Sequence, residues 1–147
     1  MGEAEPLERF MTAQAPVIAQ VRAELQAGRK TSHWMWFIFP QLRGLGRSAM
    51  AQHYGIADLA EASAYLAHPL LGPRLKDCTA LVNQHATRSA YEIFGSPDDL
   101  KFHSSMTLFH LANPEEACFR QAIGQFFANS LDNLTVTGVK GLRATPG

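Results

Sequence analysis

Apolar residues at Leu7, Phe10, Met11, Val17, Ile18, Val21 and Leu25 fall mostly at the three- and four-residue intervals of one helical face. Gly28 closes that segment as a C-terminal cap, and Pro16 divides it into two helices or kinks it. Asp58-Leu59-Ala60-Glu61 has the form of a capping box, with Ile56 placed ahead of it to pack on Ala62 as a hydrophobic staple. His68-Pro69 predicts the start of another helix, buried through Leu70, Leu71, Leu75, Cys78, Leu81 and Val82. Three more capping patterns follow. Ser89-Ala90-Tyr91-Glu92 opens a short helical turn ended by Gly95, Ser96-Pro97-Asp98-Asp99 opens a helix through about Leu111, and Asn113-Pro114-Glu115-Glu116 opens one through about Ala128.

The stretch His33-Trp34-Met35-Trp36-Phe37-Ile38-Phe39-Pro40-Gln41 holds both tryptophans and two of the nine phenylalanines. Its alternate residues would suit one face of a strand, and its aromatics favour β structure. A strand needs a partner, and the other β-prone stretch, Leu134 to Val139, is polar and contains a glycine. The block therefore reads as a short, nearly all-buried helix stopped at Phe39 by Pro40. From about Leu131 the pattern decays into Thr, Gly and Pro, which predicts a loose tail after about Val139. The expectation is an all-α fold: a single compact multi-helix domain over residues 6–139, between flexible segments at 1–5 and 140–147. The chain has no internal repeat and no interdomain linker.

Length and charge narrow the classes of function. A chain of 147 residues, 46% of them hydrophobic, can bury one substantial core. Thirteen basic residues balance thirteen acidic ones, so no global field draws the chain to nucleic acid or to an anionic membrane, and any anion site must be local. No apolar run approaches the roughly 20 residues of a membrane span. The acidic start, Met1-Gly2-Glu3-Ala4-Glu5, is unlike a secretory signal, and a cytoplasmic protein is expected. Cys78 and Cys118 lack redox or metal-ligand spacing, the histidines form no zinc pattern, and neither cofactor nor metal is expected.

Three constellations carry chemistry. In the first, Lys30, His33, Trp34, Trp36 and Gln41 together suit a flat, anionic ligand: an ammonium, a stacking surface, and an amide that donates and accepts. His33 would transfer a proton near neutral pH. The same residues also fit an aromatic core whose polar groups bond backbone. In the second, Gly44-Leu45-Gly46-Arg47-Ser48 could cradle a phosphate on backbone amides, although it matches neither the dinucleotide fingerprint nor the Walker motif, and Ser48 equally suits an ordinary helix cap. In the third, Asp98, Lys101, Ser104, Ser105 and Thr107 crowd one predicted helix, offering hydroxyls and an ammonium to a phosphate or sugar. Asp98 is the acid-base candidate beside His33, and it also suits the positive end of a helix dipole. His53 and Tyr54 could both reach a pocket rim, and either would equally serve to cover the core.

The run from Gly28 to Leu42, followed by Gly44-Leu45-Gly46-Arg47-Ser48, Tyr65-Leu66-Ala67-His68-Pro69, Leu71-Gly72-Pro73-Arg74-Leu75, Phe94-Gly95, Asp98-Asp99-Leu100-Lys101 and Ser104-Ser105-Met106-Thr107-Leu108-Phe109, resembles the bacterial domain-of-unknown-function family numbered eighteen-ten. The resemblance extends from about Leu7 to Thr135 and implies a helical single domain, but it brings no reaction and no catalytic residue. Members often bear the label "calpastatin", for which this neutral, globular sequence offers no physical reason. After Asp132 the family pattern resembles a short helix, whereas Val136 to Gly147 looks irregular. A looser similarity of style links the chain to NADAR-type proteins, which act on ADP-ribose-like N-glycosides; no motif carries it residue by residue. The resulting expectation is a pocket for a nucleotide or ADP-ribose-like ligand, with N-glycosidic hydrolysis as its chemistry. The alternative is a non-catalytic interaction module or homodimer built on an exposed aromatic edge.

Overall fold

The computed structural model describes residues 7–144 and forms ten helices among them, in one compact all-α domain. The first apolar segment becomes α1 (Glu8–Gln14) and α2 (Ile18–Ala27), with Pro16 in the turn between them. Gly28 ends α2 at φ 75°, a left-handed conformation that glycine adopts without a side-chain clash. α3 (Met35–Ile38) is the short buried helix expected of the aromatic block, followed by buried Pro40. α4 (Ala49–His53) is capped by Ser48, whose hydroxyl accepts from the Ala51 amide at 3.1 Å. Asp58 caps α5 (Leu59–Ala67) in the same way through the Glu61 amide at 2.8 Å. α6 (Leu71–Asn83) begins after His68, whose Nδ1 accepts from the Leu70 and Leu71 amides. α7 (Ala90–Phe94) carries the complete reciprocal box between Ser89 and Glu92.

Local pattern and tertiary outcome part in three places. Ser96 does not cap α8 (Asp98–Ala112); Pro97 occupies the cap position and the Asp98 carboxylate turns to two lysines instead. α9 (Ala117–Phe127) starts at Glu116, three residues beyond Asn113, whose side chain closes a local turn on the Glu115 amide. The stretch expected to be irregular from Val136, and loose after about Val139, belongs through Ala144 to a helix: α10 (Asn133–Ala144). Asp132 starts it, accepting from the Thr135 amide at 3.0 Å and the Thr135 hydroxyl at 2.6 Å, while Thr135 and Val139 are buried. Helix packing against α8 overrides the weak propensity of a Thr- and Gly-rich segment. The segment expected to be loose at 1–5, and residues 145–147 of the expected tail, lie outside the described residues.

α8 is the centre of the domain, packing against α5, α7, α9 and α10. It needs no polar face: Phe102, Met106, Leu108 and Phe109 are inaccessible, and its small hydroxyl residues are buried beside them. The aromatic run lies against this helix as a wall, with Phe39 edge-on to Phe102 at 5.0 Å and to Phe94 at 5.8 Å. Gln14 ties the other side of that wall down. Its amide donates to the Phe37 carbonyl at 2.8 Å and to the Tyr65 hydroxyl at 3.0 Å, linking α1 to α3 and α5.

Candidate functional site

The loop between α2 and α3 is held by one carboxylate. Glu24, buried at the end of α2, accepts from the Thr31 amide at 2.7 Å, the Ser32 amide at 3.0 Å, the Ser32 hydroxyl at 2.6 Å and the Trp34 indole N–H at 3.0 Å. Burial pushes its carboxyl up, but the hydrogen bonds from Ser32, Thr31, Gln20 and Trp34 outweigh burial and hold it at about 2. The Lys30 amide meanwhile donates to the Ile93 carbonyl at 2.7 Å, so the loop is also fixed to α7.

This pinned loop delivers Lys30 to the start of α8. Its ammonium lies 2.8 Å from Asp98 Oδ2 with the side chain 8% exposed, and Lys101 reaches Asp98 Oδ1 at 3.4 Å from one turn further along the helix. The two ammoniums also stand over the two indoles: Lys30 is 5.0 Å from the Trp34 ring centroid and Lys101 is 5.1 Å from that of Trp36. The first and third constellations therefore meet at a single carboxylate.

Beside this cluster is a recess of about 230 Å³, lined by Met35, Trp36, Phe39, Gln41, Ala51, Tyr54, Gly55 and Lys101. It is narrow, with room clear of its walls for about one water molecule. Lys101 is the charged residue among those lining it, and the Trp36 indole nitrogen is buried without a hydrogen-bond partner. An aromatic wall, an amide and an ammonium make up the lining, with a buried, unpartnered indole nitrogen on one of its residues.

Residues 4–139 match the family profile described as Protein of unknown function (DUF1810). The chain belongs to this family. A solved structure of the conserved hypothetical protein Rv1873 from Mycobacterium tuberculosis shares 55% identity with it and superposes with a TM-score of 0.90, covering 91% of this chain and 96% of that one. Among curated proteins nothing matches.

Within this member of the DUF1810 family, the residues singled out in sequence divide sharply. Trp36, Gln41 and Lys101 line the recess, with Lys30 and Asp98 behind Lys101. Trp34 does not offer a stacking face: it is 1% exposed and its indole N–H is taken by Glu24. His33 is exposed on the loop outside the lining. Ser48 spends its hydroxyl on capping α4, and the Gly44–Ser48 loop leads into a helix of only five residues. Ser104 donates to the Leu100 carbonyl and to Asp132, both at 3.2 Å, which makes it part of the joint between α8 and α10. Ser105 is fully buried with its hydroxyl unpartnered and is not among the lining residues.

Sequence reasoning missed Glu24, although a carboxylate between Val21 and Leu25 on an apolar stripe was the available signal. It placed Tyr54 at a pocket rim but missed Met35, Phe39, Ala51 and Gly55, which signal nothing beyond core. Neither thiol is poised as a nucleophile: burial pushes Cys78 up to about 12 and Cys118 up to about 11. No helix among the described residues is long and apolar enough to cross a membrane, and no three His, Cys, Asp or Glu side chains there gather as a metal group.

Proposed function

We propose that this chain binds a small planar anion in the recess beside Trp36. The observation that carries the reading is the meeting of an unpartnered buried indole N–H with the Lys101 ammonium at one aromatic-walled recess. A buried donor left without an acceptor costs roughly 1–3 kcal/mol, which a ligand acceptor would recover. A nucleotide or ADP-ribose-like compound is the larger form of such a ligand. With room clear of its walls for about one water molecule, the recess would have to open, Lys101 moving aside, before a ring could enter, and phosphates would rest outside, near Lys30 and Lys101.

Binding, not N-glycosidic hydrolysis, is the activity we assign. Both Asp98 oxygens face ammoniums, which gives this carboxylate the work of holding two lysines, and His33 stands outside the recess. The two cysteines are unpaired, as suits the reducing cytoplasm in which we place the protein.

Titration with AMP, ADP-ribose, NAD and simple aromatic acids, followed by tryptophan fluorescence, tests the reading. Binding should change the emission of the protein, and Trp36→Phe should remove most of that change. No response to any of these compounds at about millimolar concentration would refute it.

A further inference from the structure

The chain is neutral overall, but its charge is unevenly placed. Residues 25–57 carry Arg29, Lys30, Arg43 and Arg47 and no Asp or Glu at all. Lys30 finds its carboxylate in Asp98, from another part of the chain. Arg43 and Arg47 stay exposed, and among the described residues neither is ion-paired. Arg43 Nη2 donates to the Gly55 carbonyl at 3.1 Å, a bond that uses one of a guanidinium's five donors.

Beside Arg43 is an open groove with about 420 Å³ clear of its walls, lined by Leu42, Gly44, Leu45, Ala57 and Gly138 as well as by Arg43 itself. Its base is pinned. The Arg43 amide donates to the Ile56 carbonyl at 2.7 Å and the Ile56 amide to the Gln41 carbonyl at 2.9 Å, which holds the two loops side by side. α10 closes in so tightly that a Cβ on Gly138 would lie 2.7 Å from Leu42 Cδ2. Leu134, one helical turn before Gly138 and 69% exposed, prolongs the apolar wall along α10.

Aliphatic walls, with one unpaired guanidinium on the rim and a second four residues along the same exposed loop, define a partner by its chemistry. Apolar side chains would fill the groove, and carboxylates would take the arginines. Asp58, next to Ala57, spends one oxygen on the Glu61 amide as the cap of α5, and two arginines against this carboxylate leave the surroundings positive. A nucleic acid fits less well, since no aromatic ring lines the groove for a base to stack on.

We propose that this groove docks an acidic peptide segment of another protein. An apolar side chain of the segment anchors between the 42–45 loop and α10, and Arg43 and Arg47 hold the flanking carboxylates. The groove shares no lining residue with the recess beside Trp36, so the proposal stands independently of the planar-anion reading.

Fluorescence anisotropy of labelled probes titrated with the full chain tests it. One short peptide sets a leucine among glutamates and aspartates; a second has serine for the leucine, a third has glutamine and asparagine for the acids, and the fourth probe is a thymidine oligonucleotide. The acidic leucine peptide should bind with a Kd below about 1 mM, and about ten-fold more tightly than either altered peptide. Arg43→Gln combined with Arg47→Gln should weaken it about ten-fold and flatten its dependence on salt. Absence of binding at about 1 mM, equal binding of the serine peptide, or equal binding by the folded double variant would overturn the proposal. Tighter binding of the oligonucleotide would overturn it in favour of a nucleic-acid surface. Self-association of the chain that the double variant abolishes would overturn it in favour of a second copy.

Discussion

Glu24→Gln isolates the contribution of one buried charge to this fold. The carboxyl sits at about 2 against an ordinary 4.5, because four neighbouring donor residues bond its ionised form more strongly than burial opposes it. At about 1.4 kcal/mol per tenfold change, this difference corresponds to about 3 kcal/mol of stability at neutral pH. The folded value lies below the unfolded one, so the contribution is complete above pH 4.5 and drains away as pH falls toward 2. Glutamine keeps the size and one acceptor, but sets an amide where Gln20 and Ser32 now donate. Urea unfolding of both proteins at pH 7, 5 and 3 measures the difference directly. It should be about 3 kcal/mol at pH 7 and about 1.4 kcal/mol at pH 3, since every other group titrates alike in the two chains. A difference that stays constant across this range would place the loss in packing and refute the reasoning, as would one below about 1 kcal/mol at pH 7.

Asp98→Asn should cost about 2 kcal/mol in urea unfolding, because it leaves the nearly buried Lys30 ammonium without its carboxylate, whereas Lys101→Met should stay within about 0.5 kcal/mol. Equal small losses would mark the whole cluster as surface-like. Gly28→Ala should cost about 1–2 kcal/mol, since it forces a side chain into φ 75° with its Cβ 2.9 Å from the His85 ring. Gly72→Ala should cost roughly 2 kcal/mol or more, as its Cβ would strike the Leu66 carbonyl, a backbone atom that cannot rotate away. Thermal unfolding checks both; an unchanged Tm in either would mean the backbone there yields more than its packing implies.

The helical frame was legible because its signals are local. Pro16, Gly28, Ser48, Asp58 and the Ser89–Glu92 box each act within a few residues of themselves, and each sits at the helix end it announces. Legibility ended where distant partners compete for the same side chain. Asp98 reads as a helix-start residue and does stand there, yet Lys30, far away in sequence, takes one of its oxygens. The stretch from Val136 reads as irregular, yet it belongs to α10, which is held by buried Thr135 and Val139, with Ser104 of α8 bonded to Asp132 at its start.

The sequence by itself determined an all-α domain and most of its helix ends, because capping and periodicity are properties of short segments. Tertiary structure decided which residues line a recess. Trp34 and Trp36 are two residues apart and chemically identical, but Glu24 captures one indole N–H in the core while the other lines the recess beside Lys101. Burial and partnership are set by what folds back from elsewhere in the chain, and no local pattern contains them.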